Sequence, residues 1–170
     1  MNKAITDGLV LMPPPFSAGL NLWSREDGTV GSASYLGQPN VALVPNDQDF
    51  AGCLELQKTE ATQKLRSFAQ TPIQPGLYLR VTARVKAVSG NLPSVRIAAW
   101  AGDAADANVV GLTQVGPTVA LTSYGEVVTV QAIISPASRT GVDMAWTTQV
   151  VSAHVGLDLT GATGGVVRID

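Results

Sequence analysis

Residues 77–88 read LYLRVTARVKAV. Leu77, Leu79, Val81, Ala83, Val85 and Ala87 fall on one face at a period of two, and Tyr78, Arg80, Thr82, Arg84 and Lys86 fall on the other. A helix would mix the two sets, whereas a strand separates them, so this stretch reads as a half-buried strand. The loop Ser89-Gly90-Asn91-Leu92-Pro93 follows. A second alternating run then sets Val95, Ile97 and Ala99 on one face and Arg96, Ala98 and Trp100 on the other. Together they predict a long antiparallel hairpin with a five-residue loop.

Strands of similar character are predicted at Leu20–Ser24, Val41–Val44, Leu54–Lys58, Lys64–Phe68, Val109–Val115, Val127–Ile134, Met144–Val151, Ala153–Leu159 and Val166–Asp170. Turn-forming residues separate them: Asp27-Gly28, Pro45-Asn46-Asp47, Pro75-Gly76, Gly116-Pro117, Ser135-Pro136, Gly161 and Gly164-Gly165. Short strands spaced in this way predict an all-β antiparallel sandwich or barrel. Glu60–Arg66 is the one helix candidate, and it competes with a strand over the same residues.

Composition agrees with a single domain. Of 170 residues, 45% are hydrophobic and only 14% charged, which excludes disorder and a highly charged helical bundle. Cys53 is the single cysteine and His154 the single histidine. No intrachain disulfide is possible, and no zinc site of the usual ligand count. Eleven basic against thirteen acidic residues disfavour nucleic-acid binding through a bulk positive field. The opening MNKAITDGLVLMPPPF lacks the pattern of a secretory signal. The uncharged run between Asp106 and Glu126, unsurpassed in length in the sequence, is broken by Gly111, Gly116 and Pro117 and predicts no membrane insertion. These features predict a protein made in the cytoplasm.

Few residues carry recognisable chemistry. His154 shares a strand face with Gly156 and Asp158, a pairing that would position a general base; the competing reading is a surface or edge histidine. No G-x-S-x-G nucleophile context accompanies it, so no catalytic residue is assigned. Cys53, beside Leu54 and Leu56, reads as a packed thiol. Asn46, Asp47 and Asp49 are oxygen-rich but lack calcium-loop spacing, and read as a solvated turn. No cofactor and no metal are expected.

The aromatic residues are more informative. Trp23 and Trp146 read as core or rim aromatics. Trp100 shares its strand face with Arg96, and pairing Val88 with Ser94 would add Tyr78, Arg80 and Arg84 to the same surface. An aromatic and basic face suits an acidic or heavily hydroxylated polysaccharide. Subunit contact and plain solvent are the competing readings, and they stay open. The candidate glycan-binding set is therefore Tyr78, Arg80, Arg84, Arg96 and Trp100.

Residues 1–19 form an expected N-terminal arm ahead of a sandwich over residues 20–170. Leu9, Val10, Leu11, Met12 and Phe16 surround Pro13–Pro15. An apolar, proline-stiffened segment is costly in water, so these five residues are expected to dock on a partner. The run GGVVRID ends in an apparent strand, and we expect the sequence to be the N-terminal part of a longer chain.

The order YLRVTARVKAVSG (78–90), PSVRIAAW (93–100), GEVVTVQAIIS (125–135) and HVGLDLTGATGGVVRID (154–170) resembles the jelly-roll sandwiches of carbohydrate-binding modules and galactose-binding-like domains. Residues 1–35, MNKAITDGLVLMPPPF…LWSREDGTVGSASY, look like the start of alphaproteobacterial prophage-like proteins that continue into a right-handed parallel β-helix. Among these the head-spike proteins of gene transfer agents are the nearest suggestion. That resemblance implies a non-enzymatic structural or adhesion component of a phage-like particle spike. Its expected partners are capsid or other spike subunits, further copies of itself as a homo-oligomer, and capsular polysaccharide. It further implies a virion-like particle assembled in the cytoplasm and released by lysis. The alternative is the carbohydrate-binding module of a polysaccharide-degrading enzyme.

Overall fold

A computed structural model describes residues 19–26, 33–73, 78–136 and 142–170. The docking set Leu9, Val10, Leu11, Met12 and Phe16 lies outside the described residues. Among the described residues twelve strands run in chain order: β1 Trp23–Ser24, β2 Val41–Val44, β3 Cys53–Gln57, β4 Thr62–Ser67, β5 Thr71–Pro72, β6 Leu79–Ser89, β7 Ser94–Gly102, β8 Asn108–Ala120, β9 Val128–Pro136, β10 Met144–Trp146, β11 Ser152–Thr160 and β12 Val166–Ile169. A single 3-10 turn, Leu20–Leu22, precedes β1 among the described residues.

The strands form two sheets packed as a jelly-roll sandwich. The first has the order β1-β4-β11-β7-β8, with β5 also on β11; the second has the order β10-β9-β6-β12-β3-β2. Pairing is antiparallel except between β10 and β9. Alternation explains the layering. Ala83, Val85 and Ala87 of β6 and Val95, Ile97 and Ala99 of β7 enter one core, joined by Leu54, Leu56, Leu65, Leu157, Leu159, Val167 and Ile169. Trp23 and Trp146 belong to that core, as expected for core aromatics.

The expected hairpin does not form. β6 pairs with β9 and β12, whereas β7 pairs with β11 and β8. The two alternating runs are thus neighbours in sequence but lie in opposite sheets. Each presents one apolar face, and facing each other across the sandwich buries both. Residues 90–93 make the crossing, and Gly90 takes a left-handed φ of 73° there.

Other expectations change locally. Glu60–Arg66 is not helical: Thr62–Ser67 is strand β4, whose alternate residues contribute Leu65 to the core. Gly116-Pro117 does not end a strand. It lies within the 13-residue β8, where the pairing with β7 shifts register. Gly116 is the residue that fits, because a Cβ there would meet the Ala132 side chain at 2.7 Å. The predicted strand 144–151 stops at Trp146, where a turn leads into β11.

Candidate functional site

The outer face of the first sheet gathers the polar chemistry in three cross-strand rows. Register places Lys64, Asp158, Arg96 and Thr118 in one row. Ser24, Arg66, Gly156, Ala98 and Val115 make the next. His154, Trp100 and Thr113 make the third. Each follows from alternation, since Val95, Ile97 and Ala99 take the inward positions of β7.

Asp158 organises the first row. Its Oδ1 accepts from Arg66 Nη2 at 2.9 Å, and Arg66 Nη1 also donates to the Leu157 carbonyl at 2.9 Å. Arg66 and Asp158 are both buried. On the other side, Arg96 Nη2 stands 3.3 Å from Asp158 Oδ2, with the Arg96 side chain 28% exposed. One carboxylate therefore holds one sealed and one accessible guanidinium. Such a fixed fork suits a carboxylate or a pair of hydroxyls.

His154 organises the third row. Nδ1–H donates to the Ser67 carbonyl at 2.9 Å, and Nε2 lies 3.1 Å from both carboxylate oxygens of Asp106. The Trp100 ring meets the imidazole edge-on, with centroids 5.2 Å apart. Asp106 arrives from the turn after β7. Asp103 Oδ1 caps that turn by accepting from the Ala105 and Ala107 amides, each at 2.9 Å. Asp106 adopts φ 59°, a left-handed conformation that aspartate tolerates better than most residues. Gly102 makes room for its carboxylate: a Cβ there would sit 2.9 Å from Asp106 Oδ1 and 2.7 Å from Ser152 Oγ. His154 is thus neither a surface histidine nor the partner of Asp158; it is buried and paired with Asp106.

The expected glycan-binding set divides between two faces. Tyr78, Arg80 and Arg84 belong to the second sheet side of the sandwich, and Arg96 and Trp100 to the first. The shared face required the hairpin, which the crossing at residues 90–93 replaces. Trp100 does point away from the inter-sheet core, yet it is only 3% exposed. It is a buried floor rather than an open stacking platform. Its Nε1–H has no hydrogen-bond partner among the described residues. Tyr78 and Arg80 are exposed, and Arg84 is drawn into an ion pair with Asp170.

The second sheet carries a cluster that its residue types concealed. Lys86, Arg168 and Glu55 share a row on its outer face. The segment after β2 folds over them, and the Asp47 side chain enters the row fully buried, with Oδ1 2.6 Å from Lys86 Nζ and Oδ2 2.7 Å from Arg168 Nη1. Burial alone would raise the Asp47 pKa; hydrogen bonds from Lys86, the Asp49 amide and Arg168 outweigh it and hold the carboxyl far below the usual carboxylate range. Phe50 lies beneath Arg84 and Lys86, with cation-to-centroid distances of 5.0 and 5.1 Å. Asn46 and Asp49 are exposed, as a solvated turn requires, whereas the Asp47 side chain turns inward and anchors the segment. Cys53, buried at the start of β3, lies near this cluster, and burial pushes its thiol pKa up. No group of three or more potential metal-ligating side chains occurs among the described residues.

No protein-family model and no curated protein matches the chain. Its fold is similar to solved carbohydrate-binding modules. A family 61 module in complex with β-1,4-galactotriose is 13% identical over 92% of this chain and 90% of that one, with TM-score 0.52. The family 22 xylan-binding domain of Paenibacillus barcinonensis Xyn10C is 17% identical over 89% and 93%, with TM-score 0.51. The family 22 and xylanase modules of Clostridium thermocellum xylanase 10B, complexed with xylohexaose, give 10% identity and TM-score 0.57; the match takes 94% of this chain but 28% of that one. At these identities the likeness is one of fold.

Proposed function

We propose that this chain is a non-catalytic polysaccharide-binding domain, and that it serves on the spike of a phage-like particle. The observation that carries the binding role is Arg96. Asp158 holds its guanidinium in place while leaving it accessible, and it stands in one row with the exposed Thr118. Val115 and Thr113 continue that exposed border, above a floor of Ala98 and Trp100. A pre-oriented cation beside hydroxyl groups fits a glycan bearing carboxylates or vicinal hydroxyls, with little ordering entropy to lose on binding. The sandwich fold shared with modules solved on galactotriose and xylohexaose supports the same reading.

The particle setting rests on the likeness of residues 1–35 to gene-transfer-agent head spikes, with capsid or spike subunits as partners and capsular polysaccharide as the ligand. A second reading has its own support. In the xylanase 10B chain a sandwich of this fold is a minor part of an enzyme, and this domain would then deliver a catalytic neighbour to its polymer.

Affinity electrophoresis against capsular, uronic-acid and neutral polysaccharides tests the binding role. Retardation by at least one polymer is expected, and Arg96→Ala should weaken it several-fold while the melting temperature changes little. No retardation by any polymer would overturn the proposal. Particle fractions separate the two settings: co-sedimentation of the protein with DNA-filled capsids supports the spike, and its recovery on a secreted hydrolase or lyase supports the enzyme module.

A further inference from the structure

Lys58 is fully buried immediately after β3. Its ammonium donates to the carbonyls of Glu60 at 2.5 Å, Ala61 at 2.8 Å and Gly161 at 2.6 Å. An ammonium has three donors, and three carbonyls use them all. No side-chain carboxylate bonds it among the described residues. Burial lowers the Lys58 pKa and the nearby Glu60 charge opposes the shift, so neutral main-chain oxygens supply the direct contacts to this charge.

The carbonyls belong to segments that pass between the sheets. Residues 58–61 lead from β3 in the second sheet to β4 in the first, and residues 161–165 lead from β11 back to β12. The two segments are knitted together: the Lys58 amide donates to the Gly165 carbonyl at 2.8 Å, and the Gly164 amide to the Lys58 carbonyl at 2.7 Å. A further crossing, residues 90–93, packs against them through Asn91 Nδ2, which donates to the Thr163 carbonyl at 2.6 Å. Gly90 and Gly165 lack the Cβ that would collide with the Gly164 and Asn91 carbonyls. The crossings at 58–61 and 161–165 thus close around one buried positive charge, with residues 90–93 packed against them.

We propose that these crossings build a carbonyl cage for a monovalent cation, that the Lys58 ammonium is its tethered occupant, and that free ammonium or potassium takes its place when the side chain is cut back. Rings of backbone carbonyls replace the hydration shell of potassium-sized ions. A calcium-type dication takes six to eight oxygens, commonly with carboxylates among them, which this cage does not supply. The cage dispenses with a dissociable ion by carrying its own.

Thermal unfolding of the full chain tests this. Lys58→Ala should melt several degrees below the wild type in choline chloride. Ammonium or potassium chloride at equal ionic strength should return part of that loss, while the wild type melts alike in all three salts. Lys58→Met, whose stem fills the cage without charge, should melt low with no salt-specific recovery. Equal melting of Lys58→Ala in the three salts, or wild-type melting of Lys58→Met, would overturn the proposal. If Lys58→Ala fails to fold in every salt, the wild type decides through ¹⁵N-lysine spectra. An ammonium signal that is protected from water exchange and persists in Lys86→Met supports the cage, and loss of every protected lysine signal in Lys86→Met refutes it.

Discussion

Asp47 and Lys86, 39 residues apart in sequence, meet at 2.6 Å with the carboxylate side chain wholly buried. This contact fastens the segment after β2 onto the outer face of the second sheet, and Arg168 takes the other carboxylate oxygen. Without the Asp47 charge, Lys86 keeps only Asp49, at 2.7 Å, and Arg168 only Glu55, at 2.9 Å, so each cation loses one of its two carboxylates. Asp47→Asn should therefore lower stability by about 1–3 kcal/mol, less than the loss of a charge's sole partner. Urea unfolding of the variant against the wild type checks the value, with an unchanged m-value showing that the sandwich itself persists.

The pH dependence of this contact has a definite sign. The folded-state pKa of Asp47 is held below its ordinary value. Its contribution is therefore complete above the ordinary aspartate range, near pH 4, and is lost as the pH falls through the folded-state value. The stability gap between wild type and Asp47→Asn should persist at pH 5 and narrow only in strong acid. A gap that closes between pH 7 and pH 5 would contradict the assignment; urea titrations at a series of pH values decide.

Trp100 is buried beside His154 although it faces away from the core. Trp100→Ala should cost roughly 3–5 kcal/mol, as for other buried large-to-small changes. Trp100→Phe should cost clearly less, because it retains a ring and removes an indole N–H that has no partner among the described residues. Chemical unfolding of both variants gives the order.

Gly90 combines φ 73° with close approach to the Gly164 carbonyl. Gly90→Ala should destabilise by at least about 1–3 kcal/mol, since the new Cβ meets both backbone strain and a main-chain oxygen. Asn and Asp tolerate the conformation better but still carry a Cβ, so Gly90→Asn should also fall below the wild type. Differential scanning fluorimetry checks both.

Cys53 is buried and its thiol pKa is raised by that burial. Reaction with Ellman's reagent at neutral pH should be slow in buffer and rapid in urea, because the thiolate is the reactive form and is both scarce and shielded in the native protein. Rapid labelling in buffer would place the thiol at the surface.

Much of the fold was legible in advance because alternation is a local property. The run from residue 79 to 89 formed its strand, Val41–Val44 formed at the expected bounds, and the apolar positions of β6 and β7 entered the core. Glu60–Arg66 was ambiguous because short runs satisfy both periods, and pairing with β11 and β1 resolved it toward strand. The site was less legible. That Asp158 and Arg96 carry outward-facing side chains follows from alternation, but their adjacency needed the register of β11 against β7. Nothing near His154 in sequence pointed to Asp106, since a turn 48 residues earlier delivers it.

Period-two patterning and turn residues alone determined that this protein is an all-β sandwich, because burying one face of each strand depends on composition at alternate positions. Which strands became neighbours was decided only in three dimensions. The same apolar face on β6 and β7 is buried equally well by pairing side by side or by facing across a core. The crossings around Lys58 and Gly90 select the second arrangement. That choice moves Arg96 and Trp100 to the opposite side of the molecule from Arg80 and Arg84, so the site depends on long-range hydrogen bonding that no local pattern encodes.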